Sequence, residues 1–356
     1  MTEIKSAALE LGTESIRKLL VQYAVPAIIA MTASSLYNMV DSIFIGHGVG
    51  PLAISGLALT FPLMNLAAAF GSLVGVGAAT LISMRLGQRD YETAQRVLGN
   101  VLVLNLIIGI AFGLAALLFL DPILYFFGAS EATIGYAREY MTVILLGNVV
   151  THMYLGLNSV LRASGHPRKS MYATINTVVI NTILDPLFIF GFGWGIRGAA
   201  IATVLAQVIS LVWQLRILSN KQELLHFRRG IWQLRKTIVT GILSIGMAPC
   251  LVNVCGSAVT VAINRQLADH GGDLAIGAYG IINRILILFA MLVIGLTQGM
   301  QPIIGYNHGA MKPGRVLLTL KYGVLAGTSF TTLGFLACVF FPRGIAGLFT
   351  DDASLI

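Results

Sequence analysis

Charged residues are scarce in this sequence. Asp, Glu, Lys and Arg make up 11% of its 356 residues, whereas soluble domains carry about 25%. Hydrophobic residues make up 56%, and the mean hydropathy is +0.83. This composition excludes an ordinary soluble globular protein and indicates a helical protein that crosses a membrane several times.

Cysteines and catalytic motifs are also few. Cys250, Cys255 and Cys338 all lie in apolar runs and form no metal-type cluster, so we interpret them as small hydrophobic residues. The sequence has no Walker motif and no HExxH-like or GxSxG-like pattern. We therefore expect no enzyme activity, no cofactor and no direct drive by ATP.

Long apolar runs separated by short polar breaks make up most of the chain. About 20 residues of helix cross the hydrocarbon core of a bilayer, so the pattern predicts an all-α polytopic membrane protein with about nine spans. The spans are predicted near residues 16–45, 51–84, 94–120, 134–161, 168–190, 196–218, 237–265, 274–305 and 315–341.

The positive charges are distributed unevenly between the two sides of these spans. The side that carries the N-terminus receives 18 of the 23 Lys and Arg residues, and the positive-inside rule makes that side cytoplasmic. The net charge of +8 is thereby explained by topology, and we expect no nucleic-acid partner. The chain is predicted to be a multi-pass protein of the cell membrane with a cytoplasmic N-terminus.

The second part of the chain repeats the first. The longest polar loop divides an amino-terminal six-helix lobe, 1–218, from a partial carboxy-terminal lobe, 237–356, with 219–236 as a cytoplasmic linker. Internal symmetry of this kind is typical of transporters. A complete repeat would have twelve spans, so we expect a truncated form or a fragment. The aligned residues are Pro26 with Pro249, Asp41 with Asn264, Gly77 with Gly299 and Gly87 with Gly309.

Two acids lie deep in apolar runs: Asp41 in the first span and Asp185 in the fifth. Placing a charged acid near the middle of a membrane costs roughly 2.5–3.5 kcal/mol on insertion scales, so such residues usually face a protein interior or an aqueous cavity. Asn181 lies one helical turn before Asp185, and Tyr37 one turn before Asp41. Oxygen-rich faces of this kind hold a hard cation or a shared proton.

Five stretches resemble the MATE family (multidrug and toxic compound extrusion), and they occur in the right order along nearly the whole chain. They are NMVDSIFIG in the first span, SMRLGQRDYETAQRVLG after the second, LRASGHPRKSM after the fourth, NTILDPLFIFGFGWGIRGAAIATVLAQ across the fifth and sixth, and GMQPIIGYNHGA closing the eighth. The resemblance implies a two-lobed transporter built from repeated six-helix bundles.

The resemblance also implies an activity, partners and a site. Such a protein is a secondary active antiporter that works by alternating access, as a monomer in the lipid bilayer, and exchanges small amphipathic, cationic drugs for H⁺ or Na⁺. The cation-coupling residues that match the family, which would also hold Na⁺, are Asp41, Asn181, Asp185 and Thr203. The residues expected in the substrate cavity are Tyr37, Tyr140 and Asn158, to which the polar stripe of the sixth span adds Gln207.

Three alternatives remain open at this point. The first is a flippase for a lipid-linked precursor of the same superfamily, which would need cationic residues such as Arg284 to meet a pyrophosphate. The second is an inactive truncated transporter, and the third an intramembrane enzyme or receptor subunit. Asp41 and Asp185 could also serve only to hold helices together, although neutral residues would do this at a lower insertion cost.

Overall fold

The computed structural model describes residues 10–228 and 230–343, and every regular element in these ranges is a helix. The all-α prediction is thus confirmed. The elements are α1 (Ile16–Gly48), α2 (Pro51–Gly87), α3 (Tyr91–Leu118), α4 (Leu120–Phe126), α5 (Ile134–Leu146), α6 (Asn148–Ala163), α7 (Pro167–Pro186), a π-helical turn (Leu187–Gly191), α8 (Gly195–Leu218), α9 (Lys236–Gly309) and α10 (Pro313–Phe340).

Among the described residues, eight helical segments are long and apolar enough to cross a membrane. Helices α5 and α6 meet at an angle of 56° and make a ninth segment of spanning length if they are counted as one, so the helix predicted over 134–161 is broken at Gly147. A Cβ atom on Gly147 would lie 2.6 Å from the side chain of Val204. The break therefore lies where α8 crosses closely.

Helix α9 has 74 residues and reverses direction within its length. Its residue Ile242 packs against Gly77 of α2, and its residue Gln301 donates to the carbonyl of Val76, 2.9 Å away. A straight helix would separate positions 242 and 301 by about 89 Å. We call the two apolar limbs α9a (Lys236–Val259) and α9b (Phe289–Gly309); the side chains of Asn264 and Arg284, between them, lie outside the described part.

The apolar core of the first lobe lies in two clusters with a polar layer between them. One cluster, which includes Leu98 and Leu218, fills the end of the bundle where the basic loops gather; we call this the basic end. The other, which includes Met141 and Ala199, fills the opposite end. Between them His152 is fully buried, with its Nε2 2.9 Å from the carbonyl of Ala67. A buried polar side chain therefore lies at mid-depth, between the two apolar clusters.

The two lobes meet through glycines at the basic end. A Cβ on Gly87 of α2 would lie 2.0 Å from the carbonyl oxygen of Tyr306, and a Cβ on Gly309 of α9b would lie 2.0 Å from that of Met84. The repeat makes Gly87 equivalent to Gly309, and Met84 to Tyr306, so the contact is symmetric. Only residues without a side chain allow the two backbones to approach this closely.

The linker after α8 is bound to the first lobe by two side-chain amides of α3. Gln95 donates to the carbonyl of His226 and accepts from its N–H at 3.3 Å. Asn100 donates to the carbonyl of Gln233 at 3.1 Å and accepts from the N–H of Arg235 at 3.1 Å. Each side-chain amide thus bonds to backbone N–H and C=O groups of the linker, which has no regular structure to pair them.

An ion cluster adds to this attachment. Glu223 of the linker accepts from Lys169 at 2.5 Å and lies 2.6 Å from the Nε2 of His166. Burial alone would raise the pKa of Glu223, but the hydrogen bond from Lys169 and the nearby His166 outweigh it and hold that pKa below its usual range. Burial lowers the pKa of His166 against the attraction of the carboxylate.

Replacing Glu223 with Gln should lower the free energy of unfolding by about 1 kcal/mol at pH 7.5, since a partly buried ion pair is lost. Both groups have a depressed pKa in the folded protein. The stability that these two groups contribute is therefore complete only above pH 6.5, the ordinary pKa of histidine. It is lost as the pH falls below 4.5, the ordinary pKa of glutamate. Thermal melts of the Glu223→Gln variant and the unmodified protein should converge at acid pH.

The control for this measurement is Glu139→Gln, which changes an exposed acid. A Glu223→Gln melt that stays equally far below the unmodified one at pH 4 and pH 7.5 would contradict the assignment.

Candidate functional site

Three helices bring the four predicted coupling residues together. Asp41 comes from α1, Asn181 and Asp185 from α7, and Thr203 from α8. The carboxyl groups of Asp41 and Asp185 lie close enough to interact directly. Asn181 donates to Asp185 Oδ1 at 3.1 Å and to Thr203 Oγ1 at 3.3 Å. We call these four residues the acid site.

The acid site is closed off from solvent. Asp185 and Asn181 are 0% and 1% exposed, and Asp41 is 4% exposed. No ion pair among the described residues includes either acid. Two carboxylates in contact without a counter-charge repel each other strongly in a low-dielectric interior. The site therefore requires a positive charge from outside the protein.

Three oxygen atoms of the acid site have no hydrogen-bond partner within the described structure. They are Oδ1 of Asp41, Oδ1 of Asn181 and Oδ2 of Asp185. Buried polar atoms are nearly always paired, and oxygens are the ligands of hard cations. The donor set thus fits one proton shared between the carboxyl groups, or one Na⁺ held by carboxylate, amide and hydroxyl oxygens.

The two tyrosines expected in the substrate cavity, Tyr37 and Tyr140, lie beside the acid site. The hydroxyl of Tyr37 lies 3.0 Å from Thr203 Oγ1. Tyr140 is 1% exposed and has Asp41, Tyr37, Asp185 and Thr203 as its electrostatic neighbours. The site therefore has one tyrosine from α1 and one from α5 as neighbours.

The chain leaves regular α-helix at Pro186, the residue after Asp185. Pro186 lacks a backbone donor, and the next five residues, Leu187–Gly191, form the π-helical turn. Widened turns of this kind occur often at functional sites. The irregular segment fixes the end of α7 that carries the acid.

Gln207 and Asn158 do not join the acid site directly. Gln207 lies one turn from Thr203 on α8 and accepts from Thr151 at 2.5 Å. Asn158 donates to Thr174 Oγ1 at 3.0 Å, and Thr174 is 11 residues, or about 16 Å, from Asp185 along α7. The structure therefore places Asn158 nearer the basic end than the resemblance implies.

Sequence reasoning missed which side chains pair across helices on the way to the basic end. Thr177 donates to Ser210 at 2.7 Å, and Ser170 donates to Asn158 at 2.6 Å. The spacing of Ser170 and Thr174 along α7, the same as that of Thr177 and Asn181, was the available signal. It does not reveal which neighbouring helix such a face meets.

A separate cavity of about 370 Å³ lies between the lobes near the basic end. It is lined by Thr80 and Met84 of α2, by Met300, Gln301 and His308 of α9b, and by Leu320 of α10. No residue of the acid site lines it.

Comparisons with known proteins give consistent results. A family model described as MatE matches residues 26–187 and 245–356. The chain is 29% identical over 342 residues to the multidrug export protein MepA of Staphylococcus haemolyticus strain JCSC1435, covering 96% of this chain and 75% of that protein. It is 28% identical over 339 residues to MepA of Staphylococcus aureus strain MRSA252, covering 95% and 75%.

Solved structures of similar fold are transporters as well. One is an outward-facing multidrug resistance MATE family transporter of the MOP superfamily, 25% identical, with a TM-score of 0.91 over 98% of this chain and 78% of that one. Another is a MOP superfamily transporter from Pyrococcus furiosus Vc1, 25% identical, with a TM-score of 0.91 over 98% and 77%. These likenesses confirm the two-lobed transporter fold.

The family model covers well over half of the chain, and the relatives align along nearly all of it. This multi-pass membrane protein therefore belongs to the MatE family of transporters.

Proposed function

We propose that this protein exports small amphipathic, cationic drugs across the cell membrane in exchange for a cation bound at Asp41 and Asp185. The observation that carries the proposal is the contact between two buried carboxyl groups without a counter-charge. The similarity to multidrug export proteins over 96% of the chain supports the substrate class. A site of net negative charge also disfavours the anionic pyrophosphate of a lipid-linked precursor.

Exchange follows from competition for one charge. In this proposal the negative charge of the acid site is balanced either by the coupling cation or by the positive charge of a drug. Binding of both at once would place two positive charges next to each other in a buried site. Binding of one therefore displaces the other. Two neighbouring buried carboxyl groups can share one proton, and their unpaired oxygens can also coordinate Na⁺, so the proposal includes either ion.

Alternating access would operate through the symmetric glycine contact. Each contact of Gly77, Gly87, Gly299 and Gly309 with the opposite lobe involves the half of α2 or α9b nearest the basic end. The positive-inside rule makes that end cytoplasmic, so this conformation would be closed towards the cytoplasm. Separation of the lobes there would open the acid site inward.

Replacing Asp41 or Asp185 with Asn should reduce drug-driven proton exchange at least about tenfold, because an amide in place of one carboxyl group cannot take up and release the exchanged proton. The assay uses vesicles that contain the protein, an inward-acid pH gradient, ethidium as the substrate and a pH-sensitive dye. The matched control is Asp121→Asn, which alters an exposed acid paired with Arg138. Ethidium exchange at the unmodified rate by a folded Asp41→Asn protein would refute the assignment.

The two coupling ions are separated by Thr203→Val, which keeps the shape of the side chain and removes its oxygen. A proton shared by the carboxyl groups does not need this hydroxyl as a ligand, so we expect export driven by pH without sodium, within about twofold of the unmodified rate. Loss of one oxygen ligand should instead weaken Na⁺ binding by about 10–100-fold. Export that requires sodium, and whose half-saturating sodium rises in Thr203→Val, would assign the coupling to Na⁺.

Replacing Gly87 or Gly309 with Ala should slow export several-fold while Gly314→Ala leaves it unchanged. The new methyl group at either contact would meet a carbonyl oxygen of the other lobe at 2.0 Å, whereas nothing lies within 4 Å of Gly314. The backbone cannot yield as a side chain would, so the closed form is disfavoured. Equal ethidium export by all three variants would exclude the glycine contact as part of the transport cycle.

A further inference from the structure

A row of polar side chains, all buried except the half-buried Thr177, leads from the acid site towards the basic end. On α7, Ser170, Thr174, Thr177 and Asn181 follow one another at spacings of four, three and four, and Asp185 is four residues further, so they share one helical face. Asn158 of α6 and Ser210 of α8 pair with this face. We call these six neutral residues (Asn158, Ser170, Thr174, Thr177, Asn181 and Ser210) the polar column.

The polar column is long and shielded. Ser170 and Asp185 are separated by 15 residues, or about 22 Å of helix. Ser170 and Ser210 are 2% and 1% exposed, and Thr174 and Asn158 are each 5% exposed. Hydroxyl groups both donate and accept hydrogen bonds, and buried polar chains of this kind carry protons in membrane proteins. In an antiporter such a chain is also a route for leakage.

Arg162 stands at the basic end of the polar column. It is 8% exposed, and its two guanidinium nitrogens donate to Ser170 at 3.2 Å and to Ser159 at 3.1 Å. None of the ion pairs among the described residues involves Arg162. A guanidinium group stays charged in proteins, so this is a buried positive charge held only by neutral oxygens.

The ion cluster of Glu223 does not neutralise it. Glu223 binds Lys169, the chain neighbour of Ser170, and its two oxygens are used by Lys169 and His166. Two serines could be bridged by a neutral amide at a much lower burial cost. The charge of Arg162 therefore needs an explanation beyond its hydrogen bonds.

We propose that Arg162 is an electrostatic plug that stops protons and metal cations from passing between the acid site and the basic-end solvent through the polar column. Fixed arginine charges exclude cations from pores in the same way. The inference rests on the proposed function, in that the acid site is where the coupling cation binds. Its consequence is that cations leave the acid site only when the lobes move.

The test measures proton leakage without any drug or sodium. The purified chain is reconstituted into liposomes that contain a pH-sensitive dye, and a potassium gradient with valinomycin drives proton entry. Arg162→Gln should leak at least about five times faster than the unmodified protein, and Arg162→Lys, which keeps the charge, should not. A folded Arg162→Gln protein that stays tight, or equal leakage by the Lys variant, would overturn the proposal.

A second pair of variants decides the matter if Arg162→Gln does not fold. Ser159→Asp places a carboxylate beside the guanidinium group and neutralises it without touching Arg162, whereas Ser159→Asn has nearly the same size and no charge. The Asp variant should leak and the Asn variant should stay tight. Equal behaviour of the two would reject an electrostatic role.

The route is tested by adding Asp185→Asn to whichever variant leaks, which should restore tightness; persistent leakage would show a path that bypasses the acid site. Ethidium export by the unmodified protein is measured in parallel. Leakage in the neutralised variants without ethidium export would leave the plug standing and refute the proposed function. Ethidium export by the unmodified protein, together with no proton leakage in the neutralised variants, would support the proposed function and refute the plug.

Discussion

The contact between the carboxyl groups of Asp41 and Asp185 is the constraint on which the rest of the site depends. Two unit charges 4 Å apart repel by about 4 kcal/mol at an effective dielectric constant of 20. The surrounding partners, Asn181, Thr203 and Tyr37, are neutral, so they orient the acids without cancelling their charge. A resident arginine would have made the pair a static bridge. No ion pair among the described residues places an arginine on either acid. The balancing positive charge must therefore come from a bound cation, which can be exchanged.

Closure at the basic end depends on a different kind of contact. At Gly87 and Gly309 the backbones of α2 and α9b are in direct contact. Larger residues would separate these backbones by side chains that can change their rotamers. Packed surfaces of this kind are either engaged or separated, because intermediate distances lose dispersion contacts without gaining solvation. The internal repeat supplies both halves of the contact from equivalent positions.

The depth of the two acids and the one-turn spacing of Asn181 and Asp185 could be predicted from the sequence because they are local properties, whereas the grouping with Thr203 came only from the resemblance to the MATE family. Asp41, Asn181, Asp185 and Thr203 meet as expected. Asn158 shows the limit: its face on α6 was visible, but its register against α7, which pairs it with Thr174, depends on how two helices slide past each other.

The structure also contains features without a local sequence signal. The break at Gly147 lies against Val204, which is far away in the chain. Arg162 is unusual because no ion pair among the described residues includes it. The residues around it in the sequence do not reveal whether an acid will pack against it in the fold. Helix periodicity identifies faces, whereas the partner of each face is decided by the whole bundle.

The attachment of the linker by Gln95 and Asn100 has a mechanical consequence. Since residues 226, 233 and 235 are bonded to α3, the linker belongs to the first lobe as a solid part of it. The joint between the lobes is then reduced to the few backbone torsions where Arg235 meets the start of α9. A hinge of so few residues would let one lobe rotate relative to the other. It would not let the two lobes move far apart.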